Sequence, residues 1–369
     1  MRTSDSSAAA RQARAACAAA ADRIAAMQEP GAALPMGGDG KGAATRLVPY
    51  FANLGAFGLV VAAAAAGASA SDARRWRVAA RRWAEWYDAR RNPDGTLYDF
   101  ERTAPGGGSA PWKPTGKYDS TDSYASTYLE LVDALHRGGP DRAWLRGRYP
   151  FVRRSVDAMR LTLQKNDLTT ATPTWPVMYT MDNVEVLRGL RAAVRLARAQ
   201  GEASDARAWA AMADRTQAAI ARHLWDEKNG WYRVGVQTDG GIMAGGLAKW
   251  YPDVMANLMA IGWFPEEAAA TRPFYARHRD LYERIVARTE DAAGSGIPAR
   301  DAALPDDERL GRLAWWGFAA RAMGDRPRLA AVRGHLVHAL SGPGAGRRAY
   351  DNPATLGHAC RLLAGERAG

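Results

Sequence analysis

The sequence predicts an all-α protein of about twelve helices paired into antiparallel hairpins. Three observations carry this. Apolar residues recur at helical spacing along most of the 369-residue chain. The connections alternate between short Gly, Pro or Asp turns and long segments rich in Gly, Pro, Trp and Tyr. Strand signal is confined to Gly230-Trp231-Tyr232-Arg233-Val234-Gly235-Val236, a small β-hairpin after the turn Glu227-Lys228-Asn229.

The first helix, 6–28, is Ala-rich and lacks the compact apolar core of a secretory signal. The second, 46–66, falls in the uncharged stretch Leu47 to Ala68, which is long enough to be weighed as a membrane span. Pro49, Asn53, Gly55 and Gly58 interrupt it and five consecutive alanines dilute it, so a helix buried on all sides is expected instead. After the turn Gly67 to Asp72, helix 72–91 mixes Arg74, Arg75, Arg77, Arg81, Arg82 and Glu85 with Trp76, Val78, Trp83 and Trp86, the mark of an outer helix with one stripe turned inward. Helices 121–138 and 141–164 flank Gly138-Gly139-Pro140-Asp141, and 182–200 and 204–224 flank Gly201 to Asp205. Arg188, Arg191, Arg195 and Arg198 stripe the run from Asp182, which suits an inner position less well. In helices 250–261 and 309–323 the runs Val254–Ile261 and Leu313–Phe318 are apolar nearly all round, as enclosed helices should be. Helix 265–288 lies between them, Gly324-Asp325-Arg326-Pro327 leads into 326–340, and 353–364 is the last.

Short connections make antiparallel helix pairs. The long ones, 92–120, 165–181, 225–249, 289–308 and 341–352, should then gather at one end, where a site is expected. The whole chain, 1–369, is read as a single domain with a large core.

The formal charge of +11 is dispersed and Arg-dominated beside abundant Ala and Gly, as GC-rich coding produces. No basic tract with interleaved aromatics points to nucleic acid. Cys17 and Cys360 allow neither a disulfide framework nor a cysteine metal cluster. A single bridge is conceivable, since both lie in terminal helical segments that would approach each other if the fold closes on itself; two unrelated buried thiols are expected. Among the histidines only His335 and His338 are closely spaced, on a basic outer helix, and Gly106-Gly107-Gly108 and Gly240-Gly241 lack a phosphate-loop context. No metal and no cofactor is expected.

Function is suggested by Lys117-Tyr118-Asp119-Ser120-Thr121-Asp122-Ser123-Tyr124, which sets two carboxylates and two aromatics at the mouth of an apolar helix. The grouping recurs before later helices as Trp175, Tyr179, Asp182 and Asn183, as Trp250, Tyr251 and Asp253, and as Tyr350, Asp351 and Asn352. Tyr50 and Asn53 add a ring and an amide at the start of the second helix. Cleaving a glycosidic bond needs one protonated and one ionised carboxyl. Asp119 and Asp122, three apart, share one side of a helix start, and Asp182 would face them across a cleft. The alternative is capping: Ser120 or Asp119 serves free backbone N–H groups, Asp182 does likewise, and Pro252 and Pro353 fit first turns. Asn183 and Glu185 either bind hydroxyls or lie on the helix surface. Trp112, Trp175, Trp231 and Trp250 are the expected sugar-stacking rings, whereas Trp76, Trp83, Trp209, Trp315 and Trp316 pack.

Six hairpins, long loops at one end, and Asp and aromatic residues ahead of apolar helices together resemble the six-hairpin glycosidase superfamily, an (α/α)6 toroid. The run Tyr118 to Tyr124 is similar to acidic helix-start motifs in several of its families, including the endoglucanase-like inverting hydrolases, although the Ser-Glu-Gly type motif that carries their general acid is missing. The resemblance implies a glycoside hydrolase that cleaves an oligo- or polysaccharide, with an inverting course, and Asp119 or Asp122 with Asp182 as acid and base. It equally admits a polysaccharide lyase or uronate-acting enzyme, for which Arg347, Arg348 and Lys249 would neutralise an acidic sugar, and a non-catalytic carbohydrate-binding toroid.

Overall fold

The structure is a computed structural model that describes residues 2–37, 45–102, 110–246, 250–264, 271–279, 306–341 and 352–365. The described helices are α1 (Arg2–Met27), α2 (Pro49–Ala64), α3 (Ala70–Asp88), α4 (Thr121–Gly138), α5 (Arg142–Arg160), α6 (Thr180–Gln200), α7 (Ala203–Ala219), α8 (Met255–Trp263), α9 (271–279), α10 (Asp306–Ala322), α11 (Arg326–Ser341) and α12 (Pro353–Leu363). Side chains mark the starts: Ser69, Ser120, Asp141 and Asn352 each accept a backbone N–H of the following helix, and Pro49 and Pro353 occupy first turns. α6 stops where Gly201 takes a left-handed φ of 80°.

Every second helix lies inside. α2, α4, α6, α8, α10 and α12 each pack against the next, and α12 returns to α2, so six inner helices close a ring. Outside it, α3 packs on α2, α5 on α4 and α6, α7 on α6, α11 on α10, and α1 on α12. α9 is held near the α10–α11 turn, where Arg272 donates to the Met323 carbonyl and Tyr275 to Asp325. This is the (α/α)6 toroid that the hairpin pattern predicts. Glycine permits the close crossings. A Cβ on Gly58 of α2 would stand 2.3 Å from the Gly357 Cα of α12, and one on Gly189 of α6 would stand 2.5 Å from the Ser126 Cβ of α4.

α2 is buried along most of its length, as expected of Leu47 to Ala68, and no helix among the described residues is long and apolar enough to cross a membrane. α6 is an inner helix despite its arginines. Arg188 Nε pairs with Glu130 Oε1 at 2.6 Å and Arg195 with Asp133 at 2.8 Å, both on α4, while Arg191 donates to Gln217 on α7. Three of the four arginines therefore reach across helix seams.

Strands are more numerous than the one expected hairpin. β1 (Arg46–Leu47), β2 (Phe100–Glu101) and β3 (Lys113–Pro114) form one small antiparallel sheet. β4 (Val177–Tyr179) pairs with β7 (Gly235–Gln237), which pairs with β8 (Ile242–Met243). β5 (Trp225–Asp226) and β6 (Trp231–Tyr232) make the hairpin around Glu227-Lys228-Asn229. The segment 230–236 is thus divided between two sheets. Its second half leaves the hairpin because Gly235, lacking a side chain, fits against the Met178 carbonyl, where a Cβ would come to 2.7 Å. That pairing pins β4, and with it the start of α6.

Candidate active site

The inner helices α2, α4 and α6 begin at the end where the long connections lie, and their first turns meet. Asp122, in the first turn of α4, is wholly buried. Its Oδ1 accepts from the Ser120 hydroxyl at 2.7 Å and the Ser123 N–H at 2.9 Å, and its Oδ2 accepts from the Thr169 hydroxyl at 2.6 Å. Asn183, in the first turn of α6, accepts the Thr169 N–H at 2.8 Å and donates to the Thr169 and Tyr179 carbonyls. Together Asp122 and Asn183 clamp the 165–181 connection onto α4 and α6.

Asp182 stands beside this clamp. It is partly buried, caps no helix, and its Oδ2 lies 3.3 Å from Ser120 Oγ. A hydroxyl has one proton. The 2.7 Å contact assigns that proton to Asp122, so the Ser120 lone pair facing Asp182 is served when Asp182 itself carries a proton. Electrostatics agree. Burial, then the charges of Asp122, Glu185 and Asp119, raise Asp182 well above the usual carboxylate range.

Glu185 lies one turn deeper on α6, buried, with its Oε1 accepting from the Tyr50 hydroxyl of α2 at 2.6 Å. Burial pushes it up to about 8, against the pull of the Tyr50 and Ser123 hydroxyls. Asp122 is raised to about 6, again by burial first, with its three donors opposing. The cluster therefore holds more protons at neutral pH than separate carboxylates would.

Aromatic rings flank the acids on the open side. Trp175 is 53% exposed and its indole N–H donates to the Tyr179 hydroxyl at 3.1 Å. Tyr251 is 63% exposed and close enough to Asp182, Asp119 and Tyr179 for their charges to add to the burial that pushes it up to about 12. Asp119 is exposed, its N–H bonded to the Tyr124 hydroxyl.

The sequence-selected residues thus divide. Asp119, Asp122, Asp182, Asn183, Tyr179, Trp175, Tyr251 and Tyr50 come together around the first turns of α4 and α6. Asn53 does not reach the cluster: its amide donates to Tyr124 O and Thr127 Oγ1, and its oxygen accepts the Trp83 indole N–H. Tyr124 is buried and donates to Asp99, and Tyr118 stacks on Tyr98 with centroids 5.4 Å apart. Trp250 lies under Arg312, and Asp253, in the turn before α8, accepts through its carbonyl from Asn257 of α8. Trp112 packs beneath Arg102 with its N–H on Glu29, and Trp231 meets Phe274 edge-on. Trp175 alone of the four proposed stacking tryptophans is exposed by half or more. Tyr350 and Asp351, like Arg347, Arg348 and Lys249, lie outside the described residues.

Ser120 and Thr169 carry no sequence signal beyond capping and loop composition, and the sequence alone leaves Glu185 as either a hydroxyl ligand or a surface residue. For Glu185 a signal exists. Asp182 and Glu185 repeat the three-residue spacing that singles out Asp119 and Asp122.

No family model and no curated protein matches the chain. Solved structures do. A GH63 mannosylglycerate hydrolase from Thermus thermophilus, in complex with glucose, aligns with a TM-score of 0.62 at 12% identity over 94% of this chain and 99% of that one. A rhamnosidase from Klebsiella oxytoca with rhamnose bound aligns with a TM-score of 0.55 at 14% identity, over 94% of this chain and 63% of that one. A cold-adapted family 8 xylanase gives 0.53 at 10% identity, over 87% and 80%. At such identities the likeness is one of fold: the chain shares the α/α toroid of these structures.

Proposed function

We propose that the protein is a glycoside hydrolase in which Asp182 is the general acid and Asp119 the carboxylate that activates water. The observation that carries this reading is the place of Asp182, 3.3 Å from Ser120 Oγ beside exposed rings, where burial and the charges of three further acids raise its carboxyl above the usual range. The names of the fold neighbours, a mannosylglycerate hydrolase, a rhamnosidase and a xylanase, support sugar cleavage as the chemistry.

Asp182 gives its proton to the glycosidic oxygen as the bond to the anomeric carbon breaks, so the leaving group departs as an alcohol. Water attacks the oxocarbenium-like centre from the opposite face and passes a proton to Asp119, which inverts the anomeric configuration. General acid catalysis of this kind contributes about 10²–10⁴ in rate. Asp122, its oxygens engaged by three donors, positions Ser120 and raises Asp182 without touching substrate. Trp175, Tyr179 and Tyr251 offer faces on which a sugar ring stacks.

Hydrolysis is favoured over the lyase alternative by the tyrosines. Burial and neighbouring acids hold both Tyr50 and Tyr251 up, so each remains a phenol at neutral pH and neither is a ready base for proton abstraction. The test is a panel of mannosides, rhamnosides, xylosides and their oligosaccharides, read by reducing-sugar release and by NMR of the first-formed anomer. Release of an inverted product that disappears in both Asp182→Asn and Asp119→Asn supports the reading. Full turnover in the two variants, an ultraviolet-absorbing unsaturated product, or binding without turnover throughout the panel overturns it.

A further inference from the structure

Cys17 and Cys360 are the only cysteines of the chain and stand 343 positions apart, yet the fold sets them face to face. α1 packs on α12, with Cys360 Sγ 3.6 Å from the Cys17 carbonyl oxygen and Cys17 Sγ 3.8 Å from the Cys360 carbonyl oxygen. The reciprocity means that both side chains enter the same gap between the helices. Small neighbours allow the approach: Ala16, Ala20, Ala21 and Ala359 are all buried around it. Both thiols are buried and free. The expectation of two unrelated thiols is corrected, because ring closure brings the first and last helices together.

We propose that Cys17 and Cys360 form a disulfide cross-link site that staples α1 to α12 when a small-molecule disulfide such as oxidised glutathione is the oxidant. One cysteine thiolate attacks the glutathione disulfide, forming a mixed disulfide and releasing one glutathione thiolate. The second cysteine thiolate attacks the protein sulfur of that mixed disulfide and expels the second glutathione. Two protein S–H groups thereby lose two protons and two electrons, one S–S bond forms, and one glutathione disulfide becomes two thiols.

The interior location sets when this happens. Cys17 is 2% and Cys360 0% exposed, so a glutathione disulfide does not reach either sulfur in the folded ring, and contact with the Cys17 thiol, then burial, raises the Cys360 thiol as well. Cross-linking therefore accompanies folding, while α1 is still off the ring. The closed bond spans almost the whole chain, and a loop that long restricts the unfolded ensemble strongly. Since the first turns of α4 and α6 lie elsewhere, the cross-link changes stability and leaves any activity unaltered.

The experiment refolds the full reduced chain in a mixture of reduced and oxidised glutathione, quenches with iodoacetamide, and reads intact mass, a non-reducing peptide map and thermal melting with and without dithiothreitol. The expected product is about 2 Da lighter than the reduced chain, resists alkylation, gives a linked Cys17–Cys360 peptide, and melts several degrees higher than after reduction. Cys17→Ala and Cys360→Ala lose the reductant-dependent shift. Two alkylated thiols in the folded protein, stable glutathione adducts on both, or identical melting with and without reductant overturns the proposal. Comparing the wild-type chain with itself keeps the outcome decisive even where a variant folds poorly, and no outcome depends on the hydrolase reading.

Discussion

The Tyr50 hydroxyl and Glu185 Oε1 lie 2.6 Å apart, which ties the start of α2 to the first turns of α6 past the intervening α4. The contact closes the inner side of the acid cluster. Glu185 is left without bulk water, and Asp182, one turn above it, sits over a group that resists ionisation. Carboxyls sharing so small a space raise one another's affinity for protons.

Stability should therefore fall with rising pH. Glu185, raised from 4.5 to about 8, and Asp122, raised from 3.8 to about 6, bind more protons in the folded than in the unfolded chain. Their contribution is complete below the unfolded values and is lost as pH climbs through the folded ones. Urea midpoints should drop between about pH 5 and about pH 9. Glu185→Gln should flatten most of that slope; an unchanged slope counts against the buried-proton account.

Asp182→Asn should lower turnover by about 10²–10⁴ while leaving the melting temperature equal or slightly raised, because it removes a crowded carboxyl that makes no helix-capping bond. Kinetics beside calorimetry on one preparation check both halves.

Asp122→Asn should do the reverse on stability. The amide oxygen still accepts from Ser120 and Ser123, but the Thr169 hydroxyl then meets an amide N–H in place of an acceptor, at a cost of about 1–3 kcal/mol. With one charge gone from beside Asp182, the alkaline limb of the pH–rate profile should move to lower pH. A limb that stays in place would show that the two acids do not communicate.

Trp175→Ala and Tyr251→Ala should each raise KM about tenfold, equivalent to about 1.4 kcal/mol, with little change in kcat. Both rings are more than half exposed, so melting should hardly shift. Loss of fold in either variant would assign the ring to packing.

Gly58→Ala should destabilise by about 1–3 kcal/mol, since its Cβ would meet the Gly357 backbone at 2.3 Å and neither inner helix has a flexible atom to yield there. Gly334→Ala, with nothing within 4 Å, is the matched control and should be neutral or better.

Much of the fold was legible along the chain because local signals mark helix ends. Gly201, the Gly138-Gly139-Pro140-Asp141 turn and the caps Ser120 and Asp141 announce their own breaks. The alternation of short and long connections implied paired helices and a loop-rich end. Asp119, Asp182, Tyr179, Trp175 and Tyr251 were visible because acids and rings at helix starts are unusual enough to notice.

What the sequence determined by itself is thus the helical periodicity, its punctuation, and the set of acids and rings at one end, all properties of residues a few positions apart. The tertiary structure decided which of them matter to one another. It turned Arg188 and Arg195 of α6 into seam ion pairs, engaged Asn53 with Trp83 and Thr127, buried Asp122 under three donors, and set Glu185 against a tyrosine 135 positions away. Desolvation and charge coupling arise from distances between packed helices, and no run of neighbouring residues contains those distances.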